Sequence, residues 1–252
     1  MEGAYARHRI PSVKGRILSK LALNQGTRAG SRREPSLTDQ AYALLRREII
    51  TCQLPPDSDV SELDLAERLG MSKTPVREAL ARLAMEGLLD IYPRRGYRIR
   101  PVTIKDINDL FAVRTVLERT AASFAAQNMT TEDLDRLERL ASASYDVAEE
   151  SSIDYFINAN RDFHVAIAKG SQNPRLSALV ISHLEESERF FYIGARKRDV
   201  NMETNQEHAE IVTVLRSRDH VAAGQIMAKH TESTRAGLTT SLLSAHNSTV
   251  PL

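Results

Sequence analysis

Three histidines and one arginine of this chain fall on helix faces that are otherwise apolar. His164 shares its face with Phe156, Phe163 and Ile167, His208 with Ile211, Val212 and Leu215, and His230 with Ile226 and Met227. A neutral imidazole is the commonest metal ligand in proteins. His208 and His230 are equidistant from residue 219, and the chain turns back near Ser217 to Asp219. An antiparallel helix pair therefore brings the two rings to one level. Asn160 lies one turn before His164, where it can add an amide oxygen from the same face. Imidazoles meeting from separate helices inside a bundle can make a metal site. The competing reading for each is a hydrogen-bonded core histidine. Arg114 follows Leu110 by four and precedes Leu117 by three. A guanidinium cannot be deprotonated and is costly to bury unpaired. It needs an anion, either a carboxylate side chain or a ligand.

A second set lies nearer the N-terminus. Val76, Ala79, Leu80 and Leu83 form one apolar helix face. Ser72, Lys73, Thr74 and Arg77 then sit at the start or on the outer side of that helix. The N-terminal residues of a recognition helix contact base edges in DNA. Lys73 and Arg77 can donate to guanine or phosphate, and Ser72 and Thr74 can serve either. Pro93-Arg94-Arg95-Gly96 reads as the tip of a basic hairpin. Arg94, Arg95 and Arg98 would reach phosphates or the minor groove, and Gly96 allows close approach of the tip.

The elements that must position these groups are mostly helical. Leu37 to Ile50 is expected to be a helix, with Leu37, Ala41, Leu44, Leu45 and Ile49 inward. Ser61 caps a second helix through Leu69, with Leu63, Leu65 and Ala66 on its apolar side, and Gly70 ends it. A third runs from the Ser72–Thr74 cap to about Glu86, with Pro75 in its first turn, where a missing N–H costs least. Two short strands follow, Leu88 to Ile91 and Tyr97 to Ile99. Six helices are expected beyond Thr103, at 104–127, 131–150, 152–169, 173–196, 203–216 and 219–240. In the first of these, Ile107, Leu110, Phe111, Leu117, Ala121 and Phe124 form the inward stripe.

The fold class that results is mostly α, a winged helix-turn-helix followed by an all-helical antiparallel bundle. The expected divisions are a basic, disordered arm at 1–35, a DNA-binding domain at 36–102, an all-helical domain at 103–240, and a frayed tail at 241–252. Charge is segregated along them. The net charge is +1, yet residues 1–35 hold eight lysines and arginines against two glutamates, and residues 104–252 hold sixteen basic against twenty-one acidic groups. That pattern places nucleic-acid contact at the N-terminal end. The arm either follows the DNA backbone or is dispensable. A single cysteine, Cys52, suits a reducing cytoplasm, and no apolar run approaches a membrane span.

The run Ser72-Lys73-Thr74-Pro75-Val76-Arg77-Glu78-Ala79-Leu80, with Leu83, Glu86-Gly87-Leu88 and Arg95-Gly96, closely resembles the winged helix-turn-helix of GntR-type bacterial transcription regulators. Three departures stand out. Lys73 replaces an arginine and loses its planar fork. Leu63 stands where a basic residue is frequent. Cys52 and Asp57 stand where glycine is usual. The helical body is similar to the FCD effector domain of the FadR subfamily, and six helices suggest its VanR-like branch. The resemblance implies that Asn160, His164, His208 and His230 hold a divalent metal, with zinc favoured and nickel or manganese as alternatives. It also implies that Arg114 helps bind a small carboxylate effector.

The expected function is a cytoplasmic, homodimeric, ligand-responsive repressor. It would bind double-stranded operator DNA and be controlled by a metal and an organic acid. The alternatives are a sensor whose metal is itself the signal, or a metal-dependent hydrolase. The last would need a general base and an oxyanion stabiliser. No His-Glu-x-x-His, Gly-x-Ser-x-Gly or phosphate-loop run supports it, so no catalytic residue is assigned.

Overall fold

A computed structural model describes residues 35–93, 96–143, 150–195 and 201–247. The arm through residue 34, Arg94, Arg95 and residues 248–252 lie outside the described residues. The chain divides into two compact units, one of residues 1–45 and 59–98 and one of residues 46–58 and 99–252.

The first unit is built on three helices and a small sheet. α1 is Leu37–Ile50, α2 Glu62–Leu69 and α3 Lys73–Met85. Ser61 caps α2 by accepting from the Asp64 N–H, and Gly70 closes it in the left-handed region. In α3, Val76, Ala79, Leu80 and Leu83 are buried, as are Ala41 and Leu45 of α1 and Leu65 of α2. Pro75 is the third helical residue, where no N–H donor is required. One inward expectation fails at the edge, since Leu37 is exposed, and Leu63 is exposed on α2.

The sheet has three strands rather than the two expected. β1 is Asp59–Val60, β2 Leu89–Tyr92 and β3 Gly96–Ile99, in the order β1-β3-β2. β1 pairs antiparallel with β3, Val60 opposite Tyr97. Gly96 has φ of 99°, and a Cβ there would come 2.7 Å from the Val60 carbonyl oxygen. Its glycine is thus demanded by the sheet itself.

The second unit holds α4 (Ile104–Asn128), α5 (Thr131–Ala141), α6 (Glu150–Gly170), α7 (Pro174–Ala195), α8 (Asn201–Arg216) and α9 (His220–Asn247). Thr103 and Thr130 form capping boxes with Asp106 and Asp133, which fix the starts of α4 and α5. α4 lies along α9 and also packs on α6 and α7, while α8 joins α5 and α9. One core gathers Ala122, Ala125, Leu134, Phe163, Ile211 and Met227, from five helices. Another joins Ile107 and Phe111 to Phe190 and Leu238. Arg218 adopts φ of 62° in the α8–α9 turn and donates to the Ala126 and Met129 carbonyls. It thereby satisfies acceptors that the end of α4 leaves open.

Several boundaries move. α5 stops at Ala141 rather than 150, where Ser142 caps it and bonds its hydroxyl to the Arg139 carbonyl. α9 continues to Asn247, past the expected end at 240. Phe124, expected inward, is exposed on α4 together with Val113 and Val116. No helix among the described residues is long and apolar enough to cross a membrane.

Candidate functional site

His164 on α6, His208 on α8 and His230 on α9 meet inside the second unit. All three are buried, and one ring nitrogen from each lies within 4.8 Å of the others. Two of the rings are oriented by carboxylates. His164 donates from Nδ1 to Glu118 at 2.5 Å, and His230 from Nδ1 to Glu207 at 2.6 Å. With both Nδ1 atoms protonated for those bonds, each Nε2 presents a lone pair. These two Nε2 atoms face each other at 3.3 Å. The third ring, His208, stacks on Phe163 with centroids 3.9 Å apart, and its Nε2 is buried without a partner.

Facing lone pairs and an orphaned acceptor are an unfavourable arrangement unless a cation lies among them. Protonation of His208 and His164 is opposed. Burial, then the neighbouring His230 and His164, hold His208 well below its ordinary value. Burial also lowers His164, although Glu118 pulls the other way. A tetrahedral zinc with bonds of about 2.0–2.1 Å spaces its donors roughly 3.3–3.4 Å apart, the separation of the His164 and His230 nitrogens. The donor set could therefore hold a metal ion, and Glu118 and Glu207 give two of its imidazoles the outer hydrogen bonds usual for metal-bound histidines.

Asn160 is buried one turn before His164 and, like His230, lines a cavity of the second unit. α6, α7, α8 and α9 form its wall, with Phe156, Phe191 and Leu238 on the apolar side and Glu207, Thr204 and Ser241 among the polar groups.

Arg114 is buried but does not line this cavity. Its Nε and NH2 bond Glu118 at 2.8 Å, its NH1 bonds Ser187 at 3.0 Å, and its plane lies over Phe111. Of the two anions open to it, a side-chain carboxylate is the one present. Burial opposes the charge on Glu118, yet Arg114 and His164 together outweigh it and hold that carboxyl at about 2. Sequence reasoning overlooked Glu118, although it stands one turn after Arg114 on the same buried face. Glu207, next to His208 in sequence, serves His230 on the next helix.

In the first unit, Ser72, Lys73, Thr74 and Arg77 are all exposed at the start of α3, and the Ser72 hydroxyl makes no capping bond. Arg77 is held by Glu62, with Nε to both carboxylate oxygens at 3.0 Å and NH2 at 2.8 Å. Glu62 also accepts from the Tyr97 hydroxyl. This clasp was not foreseen, because Glu62 reads locally as an ordinary acidic residue in a helix's first turn. Arg94 and Arg95 lie outside the described residues.

Residues 37–99 match the gntR family of bacterial regulatory proteins, and residues 109–233 match the FCD domain. The chain is 32% identical over 151 residues to the HTH-type transcriptional regulator McbR of Escherichia coli K12, covering 60% of this chain and 68% of that one. It is 26% identical over 195 residues to the HTH-type transcriptional repressor RspR of the same organism, covering 77% and 85%. The solved structure of E. coli McbR/YncC superposes with a TM-score of 0.66 at 25% identity, over 82% of this chain and 99% of that one.

Proposed function

The chain belongs to the gntR family of DNA-binding transcription regulators and carries the FCD domain of the FadR subfamily, and from that premise we propose that a divalent metal and a small organic acid together set its grip on an operator. Its relatives are regulators, not enzymes. The observation that carries the proposal is the pair of Nε2 atoms facing each other at 3.3 Å beside the orphaned His208 nitrogen. His164, His208 and His230 hold the metal, and Asn160 supplies a fourth donor or leaves that place to the ligand. Zinc suits three neutral imidazoles best, with nickel or manganese as substitutes. The metal supplies a positive charge that draws a carboxylate into the cavity beside it. Arg114 acts through Glu118 rather than on the acid directly.

Two copies pair through the helical units, along the exposed Val113, Val116 and Phe124 of α4. Each presents Ser72, Lys73, Thr74 and Arg77 to the major groove, with Arg94, Arg95 and Gly96 at the wing. Repression relieved by the acid follows from the acid favouring the arrangement that releases DNA. A regulator of this kind works in the cytoplasm.

The test is operator binding by fluorescence anisotropy, on protein whose metal has been identified by native mass spectrometry. Lys73→Ala with Arg77→Ala should weaken binding at least about tenfold. Unchanged affinity would remove the assigned contacts. A second reading, in which the metal alone is the signal, draws on Arg114 not being among the residues that line the cavity. Zinc that shifts operator affinity with no acid present would favour it.

A further inference from the structure

Arg189 on α7 poses the same problem as Arg114, and its solution is different. The residue is 5% exposed, so its charge needs an anion close by. Among the described residues, NH2 donates to the Arg100 carbonyl at 2.7 Å and the guanidinium also bonds the Cys52 sulfur. Its Nε is buried with no partner. Burial opposes the charge on Arg189, and the groups that sustain it are Cys52 first and Asp106 more weakly. Asp106 already gives an oxygen to the Thr103 cap. The group placed to serve as the anion is therefore the sulfur.

Cys52 stands in the loop between α1 and β1, half-buried, with φ of 57°. Glycine would take that backbone without strain. Its Sγ also lies 3.8 Å from the Ile50 carbonyl oxygen, a weak contact for a thiol proton. A guanidinium against the sulfur favours the thiolate, which is the nucleophilic form. Partial exposure leaves the sulfur within reach of a small reagent. It is the single cysteine among the 252 residues, so no second thiol of the same chain can close a disulfide on it.

We propose that Cys52 is an oxidation site, at which hydrogen peroxide converts a thiolate held by Arg189 into a sulfenate. The sulfur attacks one peroxide oxygen, so an S–O bond forms and the O–O bond breaks. Two electrons pass from sulfur to the peroxide. The leaving hydroxide takes the proton of the new sulfenic acid and departs as water. The sulfenate keeps the negative charge beside Arg189, and its oxygen is an acceptor of the kind the vacant Nε–H lacks. Return to the thiolate requires a small-molecule thiol.

The test uses the full chain loaded with zinc, which has no redox chemistry of its own. Hydrogen peroxide is added at a series of pH values, sulfenate is trapped with dimedone, and the adduct is followed by intact mass. The rate at Cys52 should fall less than about threefold between about pH 8.5 and about pH 6.5, where an ordinary cysteine loses about fiftyfold with its thiolate. Arg189→Met removes the cation and should restore the steep profile. Should that variant fail to fold, the wild-type profile decides alone. A wild-type rate that falls about fiftyfold, the absence of a dimedone adduct, or a shallow profile in folded Arg189→Met each overturns the proposal.

Discussion

Glu118 has one oxygen on Arg114 and the other on His164, so it transmits the position of a fixed cation to a candidate metal ligand. Glu118→Gln keeps the shape but weakens both contacts. Zinc affinity should fall about 10–100-fold, the usual effect of losing an outer hydrogen-bond partner, as measured by competition with a chromophoric chelator. A second prediction concerns pH. Burial and neighbouring charge depress His164 and His208 below their ordinary value. The unfolded chain therefore binds more protons than the folded one once pH drops below the unfolded histidine value of about 6.5. Stability present above that value is lost as pH falls. The melting temperature of chelator-stripped protein should decline between about pH 7.5 and about pH 5.5, and more steeply when zinc is bound, because protons then also compete for the ligands. A flat profile would contradict neutral, buried rings. At this scale the histidines were legible, because an imidazole interrupting an apolar stripe is visible in one dimension. Arg114's need for an anion was legible too. Its choice was not, since Glu118 and a ligand carboxylate satisfy a guanidinium equally well on paper.

Elements with long periodic stripes or strong caps were readable almost to the residue. α1 runs over the expected Leu37–Ile50, and α2 starts at the expected Ser61 cap. β1 was invisible because two residues carry no period, and it exists only through its pairing with β3. The end of α5 was misread because Ala-rich composition favours helix while Ser142 diverts its own hydroxyl to the backbone. Cys52 and Asp57, where family members usually have glycine, have φ of 57° and 64°. The glycine preference is thus a left-handed backbone requirement that these two side chains tolerate. The β1–β3 pair gives the sharpest test. Gly96→Ala forces a Cβ against the Val60 carbonyl from a left-handed residue. It should cost about 2 kcal/mol or more and lower operator affinity, read from denaturant unfolding and anisotropy on the same preparation. Wild-type stability in that variant would mean the wing tolerates a different register.

Over the whole molecule, the division of labour followed from charge, with basic groups gathered before residue 36 and acidic ones after residue 103. The pairing surface did not. Phe124 fits the inward stripe of α4 by period, yet it is exposed with Val113 and Val116, because a helix as long as α4 carries apolar groups on more than one side. If two copies meet there, Val116→Glu places a desolvated charge in the seam, and light scattering after size exclusion should report half the wild-type mass. An unchanged mass would put the dimer contact elsewhere. Finally, the Glu62 clasp on Arg77 gives the DNA-reading helix a built-in rival for its own arginine. Any base or phosphate that takes Arg77 must outcompete a carboxylate already in place. A wrong sequence faces that competitor while offering poorer acceptors. Because the displaced Glu62 keeps its charge beside the DNA, a cation it gathers offsets the one that Arg77 releases from a phosphate, so Arg77 sharpens discrimination while adding little to the sensitivity of binding to salt.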